Sequence, residues 1–164
     1  MSLQFKRTPK PKKVIILGPV SAGKTTLIYR LANQPVPVSM VPTACDVLEK
    51  NTEENGRRII YSEQKHYTND ADIVVYVLSA NELSAHINKL TEFGAIEDRK
   101  QVPLLVLVNK SDLKQSEEQL EHEVADILVP LLKPAHSFNV ISCSLTTDTT
   151  IDKLRKWLEP KLID

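Results

Sequence analysis

The sequence has almost no cysteine, no long apolar run and no net charge. Its two cysteines, Cys45 and Cys143, lie far apart and outside any C-x-x-C pair. This argues against a disulfide framework or a zinc site and favours reduced thiols in the cytosol. No apolar run approaches the roughly 20 residues of a membrane-spanning helix, and no secretory signal opens the chain. With 41% hydrophobic and 26% charged residues, the composition is that of a soluble globular domain.

The zero net charge hides an uneven distribution. The first thirteen residues contain five of the 21 basic residues and no acidic one. Pro9 and Pro11 lie in this stretch, so we expect residues 1–13 to form a flexible, extended basic arm and residues 14–164 to form a single domain. The arm is compatible with a solvated tail or with peripheral contact to an anionic membrane. No other feature indicates nucleic-acid binding.

The most informative motif is Gly18 to Thr26, which fits the phosphate-loop pattern G-x-x-x-x-G-K-[ST] at every fixed position. It joins an apolar strand, residues 14–17, to a helix, residues 27–31, which is the context that the motif needs. Glycines let the backbone wrap a polyphosphate, and N–H groups at the helix start attract anions. Lys24 then reaches the β- and γ-phosphates, and the Thr25 hydroxyl holds Mg²⁺. We predict phosphate contacts from Gly18, Ser21, Ala22, Gly23, Lys24, Thr25 and Thr26; a strand–helix turn with a solvated lysine is the alternative.

A second motif, Asn109-Lys110-Ser111-Asp112, follows an apolar strand, where open α/β sheets bind ligands. The Asp112 carboxylate can accept hydrogen bonds from the N1–H and 2-amino groups of guanine, an arrangement that adenine lacks. Asn109 can tie neighbouring loops together, and the apolar stem of Lys110 can lie over the base. Such a tetrapeptide also arises in charged turns, but downstream of a phosphate loop it predicts a guanine-nucleotide site.

Strand-like and helical segments alternate along the chain. Asn55-Gly56 is a hairpin signal between residues 46–50 and 57–62, which we expect to pair antiparallel. Apolar runs predict parallel strands over residues 73–78, 102–108 and 139–142. Helical stripes comprise Leu83, Ile87 and Leu90; Leu120, Val124, Ile127, Leu128 and Leu131; and Ile151, Leu154, Trp157 and Leu158. This alternation predicts an α/β fold with a mostly parallel sheet and helices on both faces.

These motifs resemble the Ras-like small GTPases, and within them the Arf/Arf-like branch, over nearly the whole chain. The phosphate loop has the Arf form G-x-x-x-A-G-K-T-T, and Val41-Pro42-Thr43 is similar to the I-P-T of the first switch. Cys143-Ser144-Leu145 falls at the Arf C-A-T position. The resemblance implies a P-loop NTPase G domain with a six-stranded, mostly parallel sheet and one antiparallel strand. It also implies that Thr43 is the second protein ligand of Mg²⁺ and that the backbone of Cys143, Ser144 and Leu145 contacts the guanine oxygen.

The sequence departs from the family at the second switch. Family members carry W-D-x-G-G-Q after the third strand, whereas this chain reads Ser62-Glu63-Gln64 and has no D-x-x-G before the fourth strand. Gln64 is the candidate for the glutamine that orients water, and Glu63 or Ser62 for the magnesium-side aspartate. Surface polar residues are the alternative in each case. Ser2 stands where N-myristoylation needs glycine, and Asp46 replaces a phenylalanine that partners contact.

The sequence as a whole predicts an Arf-like guanine-nucleotide switch that uses GTP/GDP and Mg²⁺ and hydrolyses GTP slowly, with Lys24 and Gln64 as catalytic residues. We expect a cytoplasmic monomer, with or without peripheral membrane contact, that acts in trafficking or signalling through a protein effector or regulator. One alternative is a pseudo-GTPase scaffold that holds guanine nucleotide without switching, since the lost D-x-x-G glycine senses the γ-phosphate. Another is a P-loop small-molecule kinase, against which N-K-x-D argues.

Overall fold

A computed structural model of the chain describes residues 10–19, 22–37, 47–54, 56–64, 71–82, 88, 102–109, 117–130, 138–145 and 148–162. In chain order the elements are β1 (Lys12–Leu17), α1 (Lys24–Leu31), β2 (Val47–Glu54), β3 (Arg57–Gln64), β4 (Ile73–Ser79), a 3-10 helix (Ala80–Glu82), β5 (Leu104–Asn109), α2 (Glu117–Leu128), β6 (Phe138–Ser142) and α3 (Asp148–Leu162).

The strands form one six-stranded sheet in the order β2-β3-β1-β4-β5-β6. All neighbours pair parallel except β2 and β3, which pair antiparallel. The predicted mostly parallel sheet with one antiparallel strand is therefore confirmed. Because β1, β3, β5 and β6 run in the same direction, their carboxyl ends meet at one edge of the sheet, where α/β folds bind ligands.

The two faces of the sheet are covered by different helices, as predicted. Val14 and Ile16 of β1 pack in one apolar cluster with α1 and α3. Ile15 and Leu17 pack in a second cluster with Val124 of α2. Every residue of β4 and β5 is buried, because a central parallel strand has both of its faces covered.

The predicted helical stripes have different outcomes. Ile151, Leu154 and Leu158 of α3 are buried against the α1 cluster, and Trp157 packs beside them. Val124 of α2 is fully buried. The stripe through Leu83, Ile87 and Leu90 lies outside the described residues, as does Leu131, and the structure describes only the backbone of Leu120 and Leu128.

The antiparallel hairpin is longer than the sequence pattern indicates. β2 extends to Glu54 and β3 to Gln64, with Glu54 opposite Arg57. Gly56 in the connection has a φ of 77°, the left-handed conformation that two-residue hairpin turns require. β2 is an edge strand, and its Glu49 and Glu53 side chains are exposed. Polar residues can therefore extend this strand although they do not alternate with apolar ones.

The first strand starts inside the stretch that the sequence pattern assigns to the basic arm. β1 begins at Lys12, and Lys12 and Lys13 pair with Ile59 and Ile60 of β3. The Lys13 N–H also donates to the Asp72 carboxylate at 2.8 Å. Residues 1–9 of the arm lie outside the described residues.

Helix α1, which follows the phosphate loop, is capped at its carboxyl end. Asn33 adopts a left-handed φ of 57°. The N–H of Asn33 donates to Arg30 O, and that of Gln34 to Tyr29 O, which is a Schellman motif. Arg155 of α3 adds a hydrogen bond to Arg30 O at 3.2 Å. α1, which begins with Lys24, is therefore tied to α3 at its carboxyl end.

Candidate functional site

The loop between β1 and α1 requires glycine at two positions. Gly18 has a φ of 146°, and a Cβ there would lie 2.3 Å from the Val77 carbonyl oxygen. Gly23 has a φ of 110°, and a Cβ there would lie 2.4 Å from Nδ2 of Asn109. Both glycines of the motif are therefore demanded by backbone conformation and by close packing. Gly23 has no side chain to cap the first N–H groups of α1, which favours an anion at that position.

Lys24 folds back across the loop that precedes it. Its Nζ atom donates a hydrogen bond to the Gly18 carbonyl oxygen at 2.7 Å. The side chain is partly buried, so the ammonium lies beside the first residue of the loop. A phosphate oxygen bound in the loop would be an alternative acceptor for this charged donor.

The next residue of α1 contacts the end of β3. The Thr25 hydroxyl donates to Oε2 of Glu63 at 2.9 Å, and Glu63 is only 9% exposed. Glu63 is the register partner of Ile16, which packs on the α1 face of the sheet. Ser62 is the partner of Ile15, which packs on the opposite face. Of Ser62 and Glu63, the two candidates for the family's magnesium-side aspartate, Glu63 is therefore the one that lies next to Thr25.

Asn109 joins the two predicted motifs. Its side chain is 6% exposed, and its Nδ2 atom donates to the Ala22 carbonyl of the phosphate loop at 3.1 Å. Its Oδ1 atom accepts from the Leu145 N–H at 3.0 Å. One buried amide group therefore connects the end of β5, the phosphate loop and the loop after β6.

The loop after β6 is anchored to β5 as well. The Cys143 N–H donates to the Val108 carbonyl at 2.9 Å. Cys143 and Leu145 are buried, whereas Ser144 between them is partly exposed. This leaves Ser144 as the residue of the three with the most access to solvent.

α2 provides a further anchor of this loop that no sequence motif marks. Glu121 of α2 accepts hydrogen bonds from the N–H and the hydroxyl of Ser142, the residue before Cys143. Glu121 is one of several acidic residues in α2, and no local pattern distinguishes it from its neighbours. Only the packing of α2 against β6 reveals its role.

Several predicted site residues lie outside the described part of the chain: Ser21, Thr43, Lys110 and Asp112. Gln64 is the last residue of β3, and the structure describes its backbone alone. Thr26 follows Thr25 in α1 and is partly buried. Within the described ranges there is no group of three or more His, Cys, Asp or Glu residues that could hold a metal ion. None of the described helices is long and apolar enough to cross a membrane.

The chain is similar to known proteins over nearly its whole length. A model of the ADP-ribosylation factor family matches residues 1–162. The chain is 26% identical over 162 residues to ADP-ribosylation factor-like protein 5A of Rattus norvegicus, covering 92% of this chain and 89% of that protein. It is 28% identical over 172 residues to ADP-ribosylation factor-like protein 8d of Arabidopsis thaliana, covering 96% of each.

Solved structures share the fold at lower sequence identity. The mammalian SRP receptor superposes with a TM-score of 0.70 and 18% identity, covering 92% of this chain and 100% of that one. At this identity the likeness supports the fold alone.

Proposed function

Because the chain belongs to the ADP-ribosylation factor family, we propose that it is a guanine-nucleotide switch that binds GTP and GDP with Mg²⁺ and hydrolyses GTP slowly. Small GTPases of this family bind these nucleotides with Mg²⁺ in general. The finer assignment to this chain is supported most by Asn109, whose buried amide connects the phosphate loop to the loop after β6. A phosphate site and a base site joined in this way suit one nucleotide that spans both.

In this proposal the phosphates lie along the loop from Gly18 to Thr26. The N–H groups at the start of α1 and the Lys24 ammonium supply the positive charge. Asp112 accepts hydrogen bonds from the guanine edge, the Lys110 stem lies over the base, and the backbone of residues 143–145 contacts the guanine oxygen. The partly buried Lys24 donates to the Gly18 carbonyl at 2.7 Å, and this contact places its ammonium beside the loop that would hold the phosphates.

The residues around Thr25 fit a magnesium ion. Thr25 and Glu63 bring a hydroxyl and a buried carboxylate together at 2.9 Å, and Mg²⁺ prefers such oxygen ligands together with substrate phosphates. Thr25 and Thr43 are the proposed direct ligands, with Glu63 as the nearby carboxylate. The ion, when bound, neutralises negative charge on the phosphates. Glu63 keeps the Thr25 hydroxyl oriented from the end of β3.

Replacing Glu63 by Ala or Gln separates two roles of its carboxylate, the negative charge near the ion and the hydrogen bond to Thr25. We expect either change to raise the Mg²⁺ concentration needed to retain GDP by about tenfold, because both remove the charge near the ion. Gln keeps an acceptor for Thr25, so an effect confined to Ala would indicate a role in hydrogen bonding alone. The measurement is the GDP dissociation rate against free Mg²⁺, with Glu49→Ala on exposed β2 as the control. An unchanged magnesium dependence in both variants contradicts the assignment.

Hydrolysis in this proposal is slow because only part of the catalytic apparatus is present. Lys24 and the loop N–H groups stabilise charge on the transferred phosphoryl group. Gln64, at the end of β3, is the proposed residue that orients the attacking water. The glycine of D-x-x-G, which binds the γ-phosphate in the family, has no counterpart before β4. We therefore propose slow turnover that a partner protein accelerates.

The same missing motif favours a second candidate, a pseudo-GTPase that holds guanine nucleotide without switching. The two candidates differ in whether the protein changes with the γ-phosphate. Amide hydrogen exchange in the GDP state and in the state with a non-hydrolysable GTP analogue distinguishes them. Identical exchange in the two states would favour the scaffold.

We also propose that the protein acts as a monomer and recruits a protein effector in trafficking or signalling. The basic residues that precede β1, Lys6, Arg7 and Lys10, suit peripheral contact with an anionic membrane from the cytoplasm.

The base assignment is tested by Asp112→Asn. An amide can donate to the 2-oxo group of xanthine but loses the acceptor pair for guanine. We expect GTP affinity to fall by roughly tenfold to a hundredfold, the range for one bidentate base contact, and xanthosine triphosphate affinity to rise. Competition binding with the two nucleotides measures both, and Asp126→Asn on exposed α2 is the control. An unchanged preference for guanine would remove Asp112 from the site.

A further inference from the structure

The end of β6 is held by a side chain from α2. Oε1 of Glu121 accepts a hydrogen bond from the Ser142 N–H at 3.0 Å and another from the Ser142 hydroxyl at 3.2 Å. Ser142 is 2% exposed and directly precedes the loop of residues 143–145. Hydrogen bonds to an ionised acceptor are stronger than those between neutral groups.

The position of β6 in the sheet explains why this carboxylate is needed. β6 is the edge strand at the end of the sheet opposite β2, and it pairs with β5 on one side. The Cys143 N–H points toward β5, where it donates to Val108. Because successive N–H groups of a strand point in opposite directions, the Ser142 N–H points away from β5. Glu121 accepts it where a further strand would otherwise pair.

The loop after β6 is consequently fixed from two directions. On the β5 side, the Cys143 N–H donates to the Val108 carbonyl, and the Leu145 N–H donates to the Asn109 side chain. On the other side, Glu121 accepts from Ser142. Glu121 lies on the helix that follows the Asn109–Asp112 segment in the chain. Through Glu121, α2 is therefore tied to the end of β6.

We propose that Glu121 is a positioning residue for guanine recognition: it fixes the backbone that contacts the 6-oxygen of the base. This rests on the proposed function, in which residues 143–145 meet that oxygen. Glu121 does not touch the nucleotide; it acts through Ser142.

The test compares two nucleotides that differ at this oxygen. 2-Aminopurine riboside diphosphate keeps the diphosphate and the 2-amino group of GDP but lacks the 6-oxygen and the N1 hydrogen. We expect Glu121→Ala to weaken GDP binding by about tenfold, as for a lost hydrogen bond to a charged group, and to leave binding of the 2-aminopurine nucleotide nearly unchanged. Glu121→Gln keeps an acceptor oxygen and should restore most of the GDP affinity.

Two further variants guard against a general loss of structure. Ser142→Ala removes the hydroxyl bond but keeps the N–H bond, so its GDP affinity should lie between those of wild type and Glu121→Ala. Glu123→Ala removes an exposed acid from the same helix and should behave as wild type. If Glu121→Ala weakened the binding of both nucleotides equally, the proposal would be overturned. It would also be overturned if neither Glu121→Ala nor Ser142→Ala weakened GDP binding. If wild-type protein itself binds both nucleotides alike, the base assignment is wrong and the role of Glu121 fails with it.

Discussion

Replacing Lys24 by Ala is expected to lower the affinity for GTP and GDP by about a thousandfold. The reason is that the ammonium contacts two phosphates in the proposed complex, and each hydrogen bond between charged groups contributes ~1.5–3 kcal/mol. The fold should survive, because the Lys24 ammonium donates to the Gly18 carbonyl at a partly exposed position. Equilibrium titration with a fluorescent GDP analogue measures the affinity.

The control for this variant is Lys156→Ala, which removes an exposed lysine from α3. It changes the net charge by the same amount and should leave nucleotide affinity unaltered. A Lys24→Ala protein that binds GDP within a few-fold of wild type would mean that the loop is not the phosphate site.

Replacing Asn109 by Ala is expected to destabilise the protein and to impair nucleotide binding together. The change removes two hydrogen bonds and leaves the Ala22 carbonyl and the Leu145 N–H without this partner in a buried setting. Unpaired buried groups cost roughly 1–3 kcal/mol each, so we expect the free energy of unfolding to fall by about 3 kcal/mol. Urea denaturation measures this loss, and the GDP dissociation rate should rise in the same variant.

Asn51→Ala provides the matched comparison, because Asn51 is exposed on the edge strand β2. Its free energy of unfolding should remain within about 0.5 kcal/mol of wild type, as is usual for exposed positions. If Asn109→Ala loses stability but keeps its GDP dissociation rate, Asn109 supports the fold and not the nucleotide site.

The sequence predicts the sheet well because the signals for its central strands are local. β4 and β5 are continuous apolar runs, and the burial of every residue in them agrees with that pattern. The length of β2 could not be predicted, since an edge strand tolerates polar residues and its end is set by pairing with β3. The start of β1 at Lys12 has the same cause: pairing with Ile59 extends the strand past its apolar residues.

The residues of the site likewise fall into those with a local sequence signal and those placed by pairing or packing. Gly18, Gly23 and Lys24 are recognisable from the sequence, because the phosphate-loop conformation dictates those residue types at a fixed spacing. Thr25 can contact Glu63 only because the Glu63 side chain lies on the α1 face of β3. The pairing of Glu63 with Ile16 sets that face. Glu121 depends on how α2 packs against β6, which no short stretch of sequence encodes.

In the proposed complex one guanine nucleotide spans the phosphate loop and the loops after β5 and β6. Mass analysis of the nucleotide that co-purifies with the wild-type protein, followed by GDP and ADP titration in Mg²⁺, tests it most directly. We expect bound GDP or GTP at close to one molecule per chain and strong selection of GDP over ADP. A bound adenine nucleotide, or an empty protein that binds neither nucleotide, would contradict it.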